Sequence, residues 1–210
     1  MDNLEYEKKL IGEGYKIIAG VDEVGRGPLN GPVVAACAII NPGIDLEGIT
    51  DSKKISESKR EKIYEYLINN TIYGIGEASA SEIDKLNILN ATKLAMKRAI
   101  DNVSKQINID YLLIDGNMKF DLNIPYLSIV KGDLKSASIS CASIIAKVTR
   151  DRMMIELDKL YPEYGYKLHK GYPTKKHIEA IKKYGLIDGY RLSYGPVKEV
   201  LDESRKSNCR

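Results

Sequence analysis

The sequence predicts an α/β domain built on a mixed, five-stranded β-sheet that is flanked by helices. Three strand-like segments come first, and strands and long helices then alternate, which is typical of such a sheet. Hydrophobic residues make up 43% and charged residues 29% of the 210-residue chain, the balance of a globular protein. We expect one domain over 1–210, with a core of roughly 14–160 and a helical C-terminal extension over 161–210.

The first two strands are predicted on either side of a glycine-rich stretch. The segment 16–21 is short and apolar, and 32–40 is a longer apolar run that indicates a largely buried strand. The glycines between them predict a hairpin. A third strand is expected over 72–79, where Gly74 and Gly76 indicate a bend or a close approach of another backbone.

Helices are predicted where apolar residues recur every three or four positions. The first is expected over 56–68, with Ser56 as its N-cap, and the second over 82–103. A long helix is expected over 135–160 and a short one over 175–184. These helices supply the layers that cover the sheet.

Two further strands complete the predicted sheet, and each is followed by a carboxylate. The strand 110–114 leads into Asp115, and the strand 126–130 is followed closely by Asp133. Both runs are continuously apolar, as in strands that are buried on both faces. The two acids are therefore expected at the edge of the sheet.

Acids also stand in unusual places on the first strand and on the long helix. Asp22 and Glu23 follow the first strand directly. Asp151 falls on the apolar stripe of the long helix that contains Ile144 and Val148. Burying a carboxylate costs several kcal/mol unless it is paired or bound to a metal. These acids are therefore candidates for a functional site.

If the strand ends and the helix stripe converge, three or four carboxylates share one small volume, which requires positive charge nearby. Oxygen ligands without histidine or cysteine favour Mg²⁺ or Mn²⁺ over zinc. Two such ions roughly 3.5 to 4 Å apart can hydrolyse a phosphodiester. Adjacent strand residues point to opposite faces, so Asp22 and Glu23 can share a site only if the chain turns there or one acts indirectly. Gly25 and Gly27 make a turn feasible.

Net charge and composition do not identify the binding partner of the protein. The formal net charge is only +3, so local basic clusters must indicate a nucleic acid, and a solvated lysine surface remains an alternative. No run approaches the roughly 18 apolar residues of a membrane helix, and the charged N-terminus does not resemble a secretory signal. We expect a cytoplasmic protein that does not bind membranes. The three separated cysteines predict neither disulfides nor a thiolate zinc site.

The segment Gly25-Arg26-Gly27 allows the main chain to approach a ligand closely. Its N–H groups and guanidinium suit a phosphate or a hydroxyl. A tight hairpin turn explains the glycines equally well. The residues that would make it a nucleotide-binding P-loop are missing.

The runs 20–29 and 31–36 resemble the signature of ribonuclease HII, the type 2 ribonuclease H family. The order and spacing of further motifs are also similar to that family, over nearly the whole chain. These motifs are Asp51-Ser52-Lys53-Lys54, Asp115-Gly116-Asn117, Lys131-Gly132-Asp133, Ala142-Ser143-Ile144-Ile145-Ala146-Lys147-Val148, Arg150-Asp151-Arg152 and His169-Lys170-Gly171-Tyr172-Pro173-Thr174.

The resemblance implies an RNase H-like fold and an endonuclease. Its substrates would be the RNA strand of RNA–DNA hybrids and single ribonucleotides in duplex DNA, and its products would carry 5′-phosphate and 3′-hydroxyl ends. Asp22, Glu23, Asp115 and Asp151 resemble the family's catalytic, metal-binding carboxylates, with Asp133 as a supporting acid. A monomer is expected. Little precedes the first strand, which favours the second type over the third, whose members carry an extra N-terminal domain.

Substrate contacts are also implied by position. Gly25, Arg26, Gly27 and Tyr172 resemble the family's sensors of the 2′-hydroxyl, the group that distinguishes RNA from DNA. A surface ion pair for Arg26 and a packed aromatic for Tyr172 are the alternatives. The expected phosphate contacts are Lys53, Lys54, Lys147 and Lys170. His169 is a candidate proton shuttle, and His177 is expected at the surface.

Two segments depart from the family's pattern, and two other functions remain as alternatives. Asn30 stands where many relatives carry a small apolar residue, and 191–197 is a loose version of the family's C-terminal segment. A DNA-junction resolvase would also use clustered carboxylates, but it has no 2′-hydroxyl to read. A non-catalytic hybrid-binding module would gain from losing acids near phosphates.

Overall fold

The structure, a computed structural model, describes residues 3–41, 43–46, 49 and 55–208, with side chains described up to 203. A five-stranded mixed sheet lies at its centre. The strands are β1 (Ile18–Val24), β2 (Val33–Ile40), β3 (Thr71–Ala78), β4 (Tyr111–Asp115) and β5 (Tyr126–Ile129). Their order across the sheet is β3-β2-β1-β4-β5, with β1 antiparallel to β2 and parallel to β4. The predicted hairpin and mixed sheet are confirmed.

β1 extends three residues beyond its predicted end. Asp22 and Glu23 remain paired with Ala36 and Ala35 of β2, so the ladder continues through both acids to Val24. Charged residues usually mark the end of a buried strand in a sequence, and here they lie inside one. This extension places both carboxylates in the central strand of the sheet.

Helices cover both faces of the sheet. They are α1 (Glu5–Gly12), α2 (Glu57–Asn70), α3 (Ala80–Ser104), α4 (Ala137–Leu160), α5 (Tyr166–His169), α6 (Lys175–Tyr184) and α7 (Gly195–Asn208). The predicted cap is confirmed, because the Ser56 hydroxyl accepts the Lys59 N–H. α6 has the predicted bounds, and α1 was not expected from the sequence. No helix in the described ranges is long and apolar enough to span a membrane.

Glycines allow the helices to approach the sheet closely. A Cβ at Gly76 would collide with the Ala95 carbonyl of α3, and one at Gly20 would collide with the main chain of Ser138 in α4. The close approach predicted at Gly76 is confirmed, and β3 remains a regular strand. Because α4 begins directly against β1, its first turns are fixed beside the acids of that strand.

The C-terminal part, from 161 onward, packs against the end of α4 and against the loop 25–32 between β1 and β2, which we call the glycine-rich loop. Leu29 and Met154 share an apolar cluster with residues of α6 and α7 and with three buried tyrosines. Those tyrosines are Tyr164, Tyr166 and Tyr190. This packing brings the predicted substrate segment around Tyr172 next to the loop that follows β1.

Candidate active site

Three carboxylates meet at the ends of β1 and β4. The parallel register pairs Val21 with Ile114, so the next residues along the two strands are Asp22 and Asp115. Asp22, Glu23 and Asp115 each offer an oxygen atom, and these three atoms lie within 4.8 Å of one another. We call these three residues the acidic cluster.

The predicted turn is not what joins Asp22 to Glu23. Both residues lie inside β1, and the Asp22 Oδ1 atom accepts the Glu23 N–H at 2.7 Å. Of the two routes expected from the sequence, a turn at these residues is excluded, because β1 continues to Val24, and both acids nevertheless belong to the cluster.

Main-chain groups after β5 hold Asp115. Its Oδ1 atom accepts the Gly132 N–H at 2.6 Å and the Asp133 N–H at 3.4 Å. The Asp133 carbonyl in turn accepts the Ser140 hydroxyl at 2.6 Å, which ties this connection to α4. Asp133 therefore supports the cluster through its main chain, and its carboxylate is not among the three grouped acids.

The acidic cluster carries more negative charge than its surroundings balance. Burial raises the pKa of Asp22 well above its ordinary value, and the charges of Glu23 and Asp115 raise it further. Burial also raises the pKa of Glu23, although the Arg26 guanidinium at 3.4 Å opposes that shift. The buried Oε2 atom of Glu23 has no hydrogen-bond partner among the described residues. Such a set of oxygens suits a divalent cation.

Asp151 is not one of the three acids whose oxygen atoms are grouped. It is buried on α4, as its place on the apolar stripe predicted. One oxygen accepts the Lys147 ammonium at 2.7 Å, and the Arg60 guanidinium is 3.8 Å from the other. Two cations thus balance its charge, unlike the charges of the cluster.

The Gly25-Arg26-Gly27 loop and Tyr172 lie side by side. Gly25 has φ +90°, which only glycine adopts readily, and the loop begins where β1 ends. A Cβ at Gly27 would lie 3.3 Å from the Tyr172 ring. Tyr172 is 39% exposed, so its ring forms an open face beside the loop.

Comparisons with known proteins give the family. The family model described as Ribonuclease HII matches residues 19–194. The chain belongs to the ribonuclease HII family. It is 54% identical over 190 residues to a ribonuclease HII of Aliivibrio fischeri (strain MJ11), covering 90% of this chain and 91% of that one. It is 56% identical over 197 residues to one of Caldanaerobacter subterraneus, covering 93% and 80% of the two chains.

Solved structures agree with this placement. A ribonuclease H2 from Pyrococcus horikoshii OT3 superposes with a TM-score of 0.73 at 27% identity, covering 91% of this chain and 100% of that one. Bst-RNase HIII in complex with Mn²⁺ shares the fold, with a TM-score of 0.75 at 18% identity and coverage of 90% and 70%. As a member of the ribonuclease HII family, this chain is a hydrolytic endoribonuclease, and the family acts on the RNA of RNA–DNA hybrids.

The lysines implied by the ribonuclease HII resemblance are placed unevenly. Lys53 and Lys54 lie outside the described residues. Lys147 is bound to Asp151, and the mostly buried Lys170 ammonium donates to the Lys167 carbonyl at 2.7 Å. Each of these two ammonium groups has three N–H donors, so the bond to an internal partner leaves donors for a phosphate.

The expectation for His177 was wrong. The side chain is completely buried, because its ring stacks on His169 with centroids 4.3 Å apart. Its nitrogens lie 2.9 Å from the Tyr172 carbonyl and 2.8 Å from the Tyr190 hydroxyl. Burial lowers its pKa to about 4, so the ring is neutral at physiological pH. His177 therefore supports the main chain of Tyr172.

Both ring nitrogens of His169 also form hydrogen bonds within the protein. Its Nε2 atom lies 2.9 Å from the Tyr164 carbonyl, and its Nδ1 atom accepts the Gly171 N–H at 3.2 Å. Both nitrogens have main-chain partners, and burial lowers the pKa of the ring. The proton-shuttle hypothesis is therefore not supported by this geometry.

Sequence reasoning missed two arginines beneath the loop. Arg150 and Arg191 are fully buried and bind main-chain carbonyls of the glycine-rich segment. For Arg150 a signal existed, because it lies four residues after Ala146 and four before Met154, both of which are buried. A charged residue on an apolar helix face calls for the same attention as Asp151.

Proposed function

We propose that this protein cleaves the RNA strand of RNA–DNA hybrids and also incises duplex DNA at single ribonucleotides. The products carry 5′-phosphate and 3′-hydroxyl ends. The observation behind the proposal is the acidic cluster, since three buried or half-buried carboxylates with too little balancing charge lie beside a loop suited to nucleic acid. A cytoplasmic monomer is part of the same proposal.

The chemistry assigned to the cluster is metal-assisted hydrolysis. Asp22, Glu23 and Asp115 would hold two divalent cations, Mg²⁺ or Mn²⁺, with Asp151 as a fourth acid. When bound, such ions supply an activated water and stabilise the leaving oxygen. The chain itself holds Asp115 through the N–H groups of 132 and 133, so that this ligand keeps its orientation. A structural relative, Bst-RNase HIII, is known in complex with Mn²⁺.

Recognition of RNA is assigned to the neighbouring loop. The N–H groups and guanidinium of the Gly25-Arg26-Gly27 segment would bind the 2′-hydroxyl and the adjacent phosphate, while the Tyr172 ring would pack against the sugar next to them. This assignment is supported by the contact between Gly27 and Tyr172 and by the exposure of the Arg26 side chain, 46%. Lys53, Lys54, Lys147 and Lys170 complete the proposed phosphate contacts.

The test is cleavage of a DNA duplex that contains one ribonucleotide, compared with an all-DNA duplex and a continuous hybrid. We expect a nick on the 5′ side of the ribonucleotide in Mg²⁺ or Mn²⁺, none in EDTA and none in the all-DNA duplex. Asp22→Asn should abolish it, and the matched variant of an exposed acid, Asp121→Asn, should not. Cleavage of the all-DNA duplex would favour a resolvase, and hybrid binding without cleavage would favour a binding module.

A further inference from the structure

Two buried arginines lie next to each other beneath the glycine-rich loop. Arg150 comes from α4 and Arg191 from the segment before α7, and both side chains are completely buried. Burial and, to a smaller extent, the nearby Arg191 charge lower the pKa of Arg150 to about 10. Burying two like charges together is unfavourable unless acceptors nearby satisfy their donors.

Their acceptors are almost entirely main-chain carbonyls. Arg191 donates to the carbonyls of Gly25 at 2.6 Å, Arg26 at 2.8 Å and Gly31 at 2.9 Å. Each guanidinium presents five N–H donors in a rigid, planar fork, which suits several fixed carbonyls at once. Arg191 therefore binds the loop at its start and at its end.

Arg150 joins this loop to the segment of Tyr172. It donates to the carbonyls of Pro32 at 3.0 Å, Asn30 at 3.1 Å and Lys170 at 2.9 Å. The last of these lies two residues before Tyr172. Together with the hydrogen bond from the Leu29 N–H to the Gly171 carbonyl at 2.8 Å, this side chain links the two segments that are proposed to read the ribonucleotide.

The direction of the carbonyls sets the direction of the N–H groups. In a trans peptide the C=O and the following N–H point to opposite sides, and the described chain contains no cis peptide. Because the Gly25 and Arg26 carbonyls point inward to Arg191, the N–H groups of Arg26 and Gly27 point outward. Neither N–H has an acceptor in the ranges that the structure describes.

We propose that Arg191 and Arg150 are positioning residues that aim the Arg26 and Gly27 N–H groups beside Tyr172 and thereby set selectivity for a ribonucleotide within DNA. This inference rests on the proposed function of the loop. Tyr194 belongs to the same arrangement, since its hydroxyl donates to the Arg26 carbonyl at 2.6 Å and accepts from Arg191 at 3.1 Å.

The test uses Arg191→Lys, which keeps the charge and loses the fork. We expect incision at a single ribonucleotide to fall about tenfold or more relative to cleavage of a continuous hybrid, because small misplacements cost large factors in rate. In ¹H–¹⁵N spectra of the protein without substrate, the amide resonances of Arg26 and Gly27 should shift. The control is Arg98→Lys. Arg98 lies on α3 and also donates to a main-chain carbonyl, that of Glu77, so its substitution should change neither readout.

Tyr194→Phe is the second variant, in case Arg191→Lys does not fold. It should change both readouts in the same direction by a smaller factor, and Tyr184→Phe at an exposed tyrosine is its control. Equal loss on both substrates, or an altered ratio with unmoved amides, would overturn the proposal. If the wild-type protein cleaves neither substrate, the proposed function fails, and the spectra still decide whether Arg191 orients the two amides.

Discussion

The acidic cluster and the buried arginine pair differ in how far neighbouring groups of the chain balance their charges. The cluster holds three carboxylates that face one another, and its described surroundings supply one ion pair, from Arg26. Arg150 and Arg191 are buried more deeply, yet their donors are met by carbonyls of the same chain. Charges balanced by groups of the same chain position that chain, whereas the unbalanced charges of the cluster can bind a cation.

Asp151 shows the same contrast on a single residue type. It is as buried as Asp22, but Lys147 and Arg60 neutralise it. Carboxylates of similar burial therefore differ in how much positive charge lies beside them. Substituting each acid separately tests whether that difference decides their roles.

The largest effect is expected for Asp22→Asn. Cleavage should fall by more than about 100-fold. Removing a residue that only supports a metal ligand typically costs up to about 100-fold, and here a direct ligand is removed. Hybrid binding should survive. The metal-free variant should be more stable than the metal-free wild type, because it removes a buried charge from a cluster of like charges.

Steady-state cleavage, hybrid binding and urea unfolding in EDTA measure these three quantities, with Asp121→Asn as the control. Full activity of Asp22→Asn would remove this residue from the metal site. A destabilised metal-free variant would contradict the view that the cluster is over-charged.

The next effect concerns the loop beside the cluster. Arg26→Ala or Tyr172→Ala should weaken incision at a single ribonucleotide by roughly tenfold to 100-fold, the value of a hydrogen bond to a charged group. Cleavage of a continuous hybrid should fall less. The ratio of the two initial rates is the measurement, and an equal loss on both substrates would argue against a role in reading the 2′-hydroxyl.

A smaller loss is expected for Asp151→Asn. Because Asp151 is already partnered and the three clustered acids remain, kcat should fall by about tenfold, as for an outer partner of a metal site. The same cleavage assay measures it. A loss as complete as that of Asp22→Asn would place Asp151 among the indispensable ligands and remove the distinction from the cluster.

The smallest effect is on stability as a function of pH. The pKa values of Asp22 and Glu23 are raised in the folded protein, so above about pH 4 the unfolded chain releases these protons first. The contribution of these two acids to the stability of the metal-free protein should therefore fall as pH rises through their raised pKa values. The lowered pKa values of His169 and His177 raise stability over part of the same range, so the fall is measured as the difference in urea unfolding between the wild type and Asp22→Asn from pH 4 to 8. Added Mn²⁺ should reduce this difference, and a wild type that does not lose stability relative to the variant as pH rises would contradict the assigned shifts.

The sequence predicted the parts of the site that follow from local pattern. Asp115 stands at the end of a short apolar run, and Asp151 interrupts an apolar stripe, so both were identifiable from neighbouring residues. The Ser56 cap and the hairpin around the glycines depend on equally local signals. The fold class followed from the order of these elements.

Features that depend on distant contacts could not be predicted. His177 lies on an amphipathic helix whose pattern does not reveal that His169 and Tyr190 cover it. The main-chain carbonyls that bind Arg191 are more than 150 residues away in the chain, so its burial against them could not be read from neighbouring residues. The indirect support of Asp115 by Asp133 likewise requires the position of a main-chain N–H.

The most direct test of the central claim is an anomalous diffraction map of crystals soaked in Mn²⁺. The account predicts a peak bound by carboxylate oxygens of Asp22, Glu23 and Asp115, and its loss in crystals of Asp22→Asn. A strong peak elsewhere in the chain with none at the cluster, or an unchanged peak in the variant, would contradict the assignment of these three acids to a metal centre.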